Sequence, residues 1–414
     1  MKRCGGCSKS ALKLLFSLGD VPPVNAFLSE AEVSQERAYP LEVYHCSECT
    51  LVQLGQIVDP DKLFSHYLHL SSASQSNIKH LEEVAGILEA QDASSLKGKK
   101  ILEIGSNDGS LLAICKQKAE KVLGVDPAKN LALLAREKGV ETVTGFFSEE
   151  KAVEVKNAHG SFDWVVALNV VAHTPDFTSL FRGVRDVLAT GGTFVMEAAY
   201  VVETILNGQF DTVYHEHVYC FSLHALKYAV EQSGLKIKDV EIIPTQGTSL
   251  RLFIGRAEDH VHVSDNVAKV LNDEKKKGFT TAEVYDAAAK KIAEFSQDLN
   301  KKLRYLKQRY GGRIVGLGAP ARGVVILNYC KITKDLIDYV IDDTPLKQEK
   351  LIPGVHIPVR DWQALSEEPA KVFLLLSWNY EKEVLKKLRA NIKSGVVLIP
   401  FPELREVEIG KAGS

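Results

Sequence analysis

Four of the seven cysteines fall into two close pairs, Cys4-x2-Cys7 and Cys46-x2-Cys49, separated by 38 residues. Each pair can close a turn that presents two thiolates. Two such turns suit a single tetrahedral Zn²⁺, with sulfur about 2.3 Å from the ion. Gly5-Gly6 gives the first turn the backbone freedom it needs. The competing readings are a disulfide framework, which a reducing compartment disfavours, and a redox motif, which needs only one pair. With protein filling all four positions, the expected ion is structural and closed to substrate. Cys115, Cys220 and Cys330 lie singly in apolar surroundings and read as small buried hydrophobes.

At 414 residues the chain holds roughly two to four domains. It is 45% hydrophobic and 25% charged, ordinary values for a globular protein, which excludes disordered and collagen-like architectures. The longest apolar runs, such as Val372–Leu376, fall far short of a membrane span. Met1-Lys2-Arg3-Cys4 leads into cysteines without an apolar signal segment, so the expectation is a soluble cytoplasmic protein. With 51 basic and 53 acidic residues, nothing in the net charge of −2 draws the chain to nucleic acid.

The expected fold class is α/β, in several parts. Residues 1–75 read as a loop-rich zinc module that also contacts substrate. Residues 76–270 alternate strand and helix signals. Residues 271–310 form a long helical connector, with Val284, Ala288, Ile292, Phe295, Leu299, Leu303 and Leu306 on one stripe. Gly311-Gly312 ends it, and residues 311–414 form a second, Rossmann-like strand-helix series.

The second part carries a cofactor signal. Lys100–Gly105 reads as a buried parallel strand, followed by Ser106-Asn107-Asp108-Gly109 and an apolar helix start. Glycines there let a ligand approach the backbone, and the helix start offers free N–H groups. A second strand ends in Asp126, 21 residues beyond Gly105, where a carboxylate can take both hydroxyls of a ribose. The loop lacks the GxGxxG spacing and carries Asp108, which would repel a pyrophosphate but could face a cationic amino-acid moiety. S-adenosylmethionine (SAM) is therefore preferred over a dinucleotide or a purely structural turn. Strands at Phe162–Ala167, with Asn169 just beyond its tip, and at Gly191–Glu197 agree with an open sheet that binds ligands at its strand ends.

Taken together, these segments resemble, along nearly the whole chain, the three-domain C-methyltransferases that act at C-3 of nucleotide-linked 4-keto deoxysugars. The resemblance rests on the CxxC pairs, on Leu102-Glu103-Ile104-Gly105-Ser106-Asn107-Asp108-Gly109-Ser110-Leu111 and on Leu123-Gly124-Val125-Asp126-Pro127-Ala128. It continues through Asn169-Val170-Val171-Ala172-His173 and Tyr214-His215-Glu216-His217. The last part adds Gly316–Gly323, Pro353–Pro358 and Ser377-Trp378-Asn379-Tyr380. The resemblance implies a zinc module, a central class I SAM methyltransferase domain and a C-terminal Rossmann-like domain. It assigns Glu103, Gly105, Asn107, Asp108, Gly109, Asp126, Pro127, Asn169 and His173 to the cofactor. The implied substrate is a nucleotide-linked 4-keto sugar, with thymidine diphosphate the expected nucleotide.

Methylating carbon requires a carbanion equivalent, and C-3 is acidic only beside the C-4 ketone. A base must take its proton while a donor stabilises the enolate oxygen. By resemblance His217 is that base, with Glu216 and Tyr214 in support. A polar network at a strand end is the plainer reading of the same cluster. Tyr67, His69, Ser249 and Arg251 are the expected sugar contacts. Two segments depart from the family pattern. His69 stands where the family usually has a second tyrosine, and Gln246-Gly247-Thr248-Ser249 replaces a His-Gly-Gly-Ser-like segment, which puts the sugar's identity and stereochemistry in doubt. Arg322 and Lys347 are candidate diphosphate partners if the C-terminal part reaches the nucleotide; otherwise they are solvated charges. Two other function classes remain for comparison. An RNA methyltransferase is disfavoured by the near-neutral charge and by the lack of an Asn/Asp-Pro-Pro-Tyr motif. A non-catalytic SAM or nucleotide-sugar binder is disfavoured by the intact Glu216-His217 pair.

Overall fold

The computed structural model describes residues 2–64, 70–72, 74–91, 95–260 and 262–410. Strands β1 (Leu12–Val21), β2 (Tyr39–Cys46) and β3 (Val52–Leu54) pair antiparallel in sequence order. Leu18, Val21, Leu41 and Val43 are buried along them. The two cysteine turns meet at one end of this sheet. The Sγ atoms of Cys4 and Cys49 lie 3.5 Å apart and those of Cys7 and Cys46 3.6 Å apart, with all four within 4.8 Å of one another. A tetrahedron of sulfurs about 2.3 Å from one ion has edges of roughly 3.8 Å, so the cluster fits zinc. Four sulfurs this close cannot all be thiolates without a cation. Hydrogen bonding from Cys49 draws Cys4 down to about 5, while burial pushes Cys7 up to about 11.

The middle of the chain supplies β4 (Lys100–Ile104), β5 (Lys121–Asp126), β6 (Thr142–Thr144), β7 (Phe162–Leu168) and β8 (Leu188–Ala199). These five run parallel. Val165 and Val166, on opposite faces of β7, are both fully buried, as expected for a parallel sheet covered on both sides. Next comes β9 (Tyr219–Cys220), which leaves this sheet and pairs antiparallel with β3, completing the N-terminal sheet. β10 (Leu235–Ile243) and β11 (Ser249–Arg256) return to the central sheet, where β11 runs antiparallel between β10 and β8. The order is β10-β11-β8-β7-β4-β5-β6. Strand order reverses between β4 and β7, so the crevice for a ligand opens at their C-terminal ends.

A 28-residue helix, Glu283–Tyr310, follows and stops at Gly311, whose φ of 65° no helix continues through. Its expected stripe is real: Ala288, Ile292, Leu299, Leu303 and Leu306 are buried. Tyr285 near its start packs 5.5 Å from the His45 ring beside the cysteines, and Phe295 stacks 4.9 Å from Phe401 in the last part. The helix therefore braces both ends of the molecule. Strands β12 (Arg313–Leu317), β13 (Tyr339–Ile341), β14 (Val359–Arg360), β15 (Ala370–Leu375), β16 (Gly395–Ile399) and β17 (Arg405–Ile409) form the last sheet in the order β14-β13-β12-β15-β16-β17. All are parallel except β17.

Purified protein should carry close to one zinc per chain. Cys46→Ala should abolish that zinc and speed amide hydrogen exchange in β1–β3 before β4–β8. Full retention of metal by the variant, in elemental analysis, would exclude the four-sulfur site.

Candidate active site

The loop after β4 is shaped by close packing. Gly105 has φ 68°, and a Cβ there would sit 2.4 Å from Val170 Cγ2, so only glycine fits. Its N–H donates to Val125 O at 2.7 Å, tying the turn to β5. The Asp126 carboxylate then accepts from Asn107 N and Ala128 N, each at 2.8 Å. Pro127 lies between those ties. Gly109, with φ 72°, starts the helix Ser110–Cys115. Asn107 Oδ1 accepts from Ser71 N at 2.9 Å, which brings Ser71 and Ser72 onto the loop.

Three carboxylates meet here. Glu103 is buried in β4; burial, with the charges of Asp126 and Asp108, holds its pKa well above the ordinary value. Its Oε2 has no hydrogen-bond partner among the described residues. Such an orphaned buried acceptor is what a site made for a donor-bearing ligand leaves behind. Burial also raises Asp126, against the two N–H bonds that lower it. Burial would raise Asp108 too, but donors outweigh it: Ser72 Oγ at 2.5 Å, Lys138 Nζ at 2.9 Å and Ser110 Oγ at 2.7 Å leave its pKa lowered. The Asp108 charge, expected to face a cationic ligand, is thus already matched by Lys138. Across the crevice, Asn169 has φ 57° just beyond β7 and donates its N–H to Glu197 O at 2.9 Å. The cradle of Gly105, Asn107, Gly109, Asp126 and Glu103 fits SAM.

The second cluster hangs from the turn Phe210–Thr212. Thr212 O lies 2.7 Å from Nδ1 of His217. A carbonyl can only accept, so Nδ1 carries the proton and Nε2 is the bare nitrogen. The Tyr214 hydroxyl, 2.8 Å away, donates to that Nε2, and the two rings lie 4.0 Å apart. Burial pulls His217 down to about 4, with the positive Arg322 assisting against the Thr212 bond. Burial and the Glu216 charge push Tyr214 well up. Glu216, itself buried, accepts from Asn25 Nδ2 at 2.6 Å, a bond that reaches into the N-terminal part. His173 closes the 3-10 turn Val171–His173; its ring lies 4.9 Å from His217 and stacks 5.6 Å from Phe64. His173, expected near the cofactor, is therefore also a neighbour of the imidazole.

Arg322 stands in the helix Ala321–Tyr329, over the Trp378 ring at 5.1 Å. Its guanidinium would lie 3.1 Å from a Cβ on Gly247, so it borders the turn before β11. Lys347 donates to Ala319 O at 2.9 Å, and burial lowers its pKa. Ser249 Oγ donates to Thr245 O at 3.0 Å. Arg251, expected to face the sugar, is instead only 2% exposed. Its three guanidinium nitrogens are committed to Glu197 at 2.8 Å and to Glu241 and Glu83 at 3.1 Å each. Tyr67 and His69 lie outside the described residues. Sequence reasoning missed Asn25 and Asp211, whose partners lie 191 and 167 residues away, and Thr212, which acts through its backbone carbonyl.

Comparison with known proteins agrees with this geometry. Residues 4–64 match the family model "Putative zinc binding domain", residues 77–240 "Methyltransferase domain" and residues 244–402 "C-methyltransferase C-terminal domain". The chain is 32% identical to C-methyltransferase NovU of Streptomyces niveus over 409 residues, covering 98% of this chain and 96% of that protein. It is 25% identical over 170 residues to a ubiquinone biosynthesis O-methyltransferase of Acinetobacter baylyi, covering 36% of this chain and 68% of that one. A solved magnesium protoporphyrin IX methyltransferase of Synechocystis PCC 6803 with bound SAH aligns at TM-score 0.35 and 16% identity, covering 43% of this chain and 83% of that one. Sheet order and cradle define a class I SAM-dependent methyltransferase with a structural zinc module. Within that class, the chain belongs to the C-methyltransferase family that includes NovU. Among the described residues no helix is long and apolar enough to cross a membrane.

Asp126→Ala removes the acceptor that orders the loop. SAM should bind about tenfold more weakly or worse, since hydrogen bonds to a charged group are each worth about 1.5–3 kcal/mol. Unchanged affinity by calorimetry would remove Asp126 from the site.

Proposed function

We propose that the protein transfers the methyl group of SAM to C-3 of a nucleotide-linked 4-keto-6-deoxy sugar, with His217 as the base. One observation carries this reading: a part-buried imidazole with Nδ1 fixed by a carbonyl and Nε2 facing a phenol. Nε2 takes the C-3 proton. The Tyr214 hydroxyl, kept protonated by its buried setting, turns from Nε2 to the C-4 ketone oxygen and donates to it as charge develops there. Glu216, oriented by Asn25, accepts from the sugar hydroxyls. When bound, SAM supplies an electrophilic methyl group to the carbon so activated. Arg322, beside the cluster, pairs with the diphosphate, and Lys347 supports it from the loop at Ala319. Thymidine is the nucleotide we favour, and the cytoplasm, where nucleotide-linked sugars are made, is the compartment. Similarity to a C-methyltransferase over nearly the whole of both chains supports carbon as the acceptor.

Loss of a general base typically costs about 10²–10⁴ in rate. His217→Asn should therefore fold and bind SAM yet exchange the C-3 proton with solvent deuterium slower by about that factor. In wild-type protein the base is neutral above its pKa of about 4, so exchange should hold steady down to mildly acid pH and fall only on approaching that value. Wild-type exchange in the variant would move the base to another group, with His173 the nearest ring.

A further inference from the structure

The Ser377-Trp378-Asn379-Tyr380 segment has no role in the reaction as described so far. Yet Trp378 Nε1 donates at 2.7 Å to Oδ2 of Asp211, a residue 167 positions earlier. Asp211 is 0% exposed, and its Oδ1 has no hydrogen-bond partner among the described residues. A fully buried carboxylate with one oxygen unsatisfied is costly. Its neighbours explain the placement. Asp211 is the middle residue of the turn Phe210–Thr212, whose last carbonyl holds Nδ1 of His217. The first residue, Phe210, is plugged between the long helix and the C-terminal part, among Phe295, Tyr329 and Phe401, at 5.6, 5.0 and 5.9 Å. Trp378 lies 5.5 Å from the same Phe401. The short turn that fixes the imidazole is thus held against the long helix and the C-terminal part by one aromatic plug and one hydrogen bond.

We propose that Trp378 and Asp211 are positioning residues for the base. Together they hold the Phe210–Thr212 turn so that Thr212 O keeps the proton on Nδ1 of His217 and leaves Nε2 bare. The C-terminal part therefore does more than border the crevice: it sets the tautomer of a group that lies on another part of the chain. This inference rests on the reading of His217 as base, but its central claim concerns the ring alone and can be measured without a sugar.

Trp378→Phe keeps an aromatic ring on Phe401 and removes the N–H, at the cost of part of the ring surface. Asp211→Asn keeps an acceptor for the indole and removes the charge. In zinc-loaded full-length protein, each should lower kcat for C-3 exchange, the tryptophan variant by about 10²-fold, the cost of an ångström of misplacement. SAM affinity should stay within about threefold, because neither residue touches the cofactor. Sugar KM should rise in Asp211→Asn, whose lost charge lies beside Arg322, the diphosphate partner. The double variant should be no slower than the worse single one. In ¹⁵N spectra of histidine-labelled protein, the His217 signals, identified by their loss in His217→Asn, should move from one fixed Nδ1–H tautomer to a mixture. Near-wild-type exchange in both variants overturns the proposal. So does slow exchange with unchanged His217 signals, which makes the contact merely structural, and so does a double variant whose loss is the product of the two. If wild-type protein exchanges no 4-keto sugar, the reaction reading fails while the ring signals still decide the seat.

Discussion

A carboxylate accepting two backbone N–H groups is the interaction on which both parallel-sheet parts of this chain depend. In the central sheet, Asp126 takes Asn107 N and Ala128 N, while Gly105 N reaches Val125 O. In the last sheet, Asp342 takes Ala319 N at 2.7 Å and Thr344 N at 2.8 Å, while Gly318 N reaches Ile341 O. Each time, a glycine with φ near 70–80° lets the loop fold back, and the acid at the next strand's end locks it. The two loops then diverge. The first leaves a buried acceptor, Glu103 Oε2, without a hydrogen-bond partner among the described residues. The second carries Lys347 on the carbonyl of Ala319.

The cluster around His217 draws on every part of the chain. Asn25 comes from the N-terminal part, Tyr214 to His217 from the connection between β8 and β9, and Arg322 and Trp378 from the last part. Assembly from distant segments lets burial do chemical work. A histidine largely withdrawn from water stays neutral at working pH, and a phenol withdrawn beside a carboxylate keeps its proton. A buried charge can also be matched directly, as the Arg251 network with Glu197, Glu241 and Glu83 illustrates.

How much of this was legible in the sequence follows from how local each feature is. The cysteine turns were legible because two ligands two residues apart dictate their own geometry. So was the long helix, whose apolar spacing repeats within a few residues, and the loop after β4, whose glycines and Asp126 sit in one strand-turn-helix-strand unit. The Tyr214-His217 pair was legible as chemistry but not as geometry. Its tautomer depends on a backbone carbonyl, which any residue at position 212 could offer. Asn25 with Glu216, and Trp378 with Asp211, are separated by 191 and 167 residues, beyond any local pattern. Arg251 read as a ligand-facing charge because its carboxylate partners lie on three distant elements. The two-residue β9 carries no periodicity at all, so its transfer to the N-terminal sheet left no trace.

That transfer has a consequence for how the chain is built. The four zinc ligands span only residues 4–49, so the ion can be captured before the central sheet has been made. The sheet beside it stays incomplete, because β3 waits for Val52 and Gln53 to meet Cys220 and Tyr219. Until then its edge presents unpaired backbone groups, the kind of surface that recruits stray strands. Closure pairs Val52 with Cys220 across about two fifths of the chain, a high contact order that slows it. The N-terminal part thus begins folding first and finishes only after the central sheet has delivered its last neighbour.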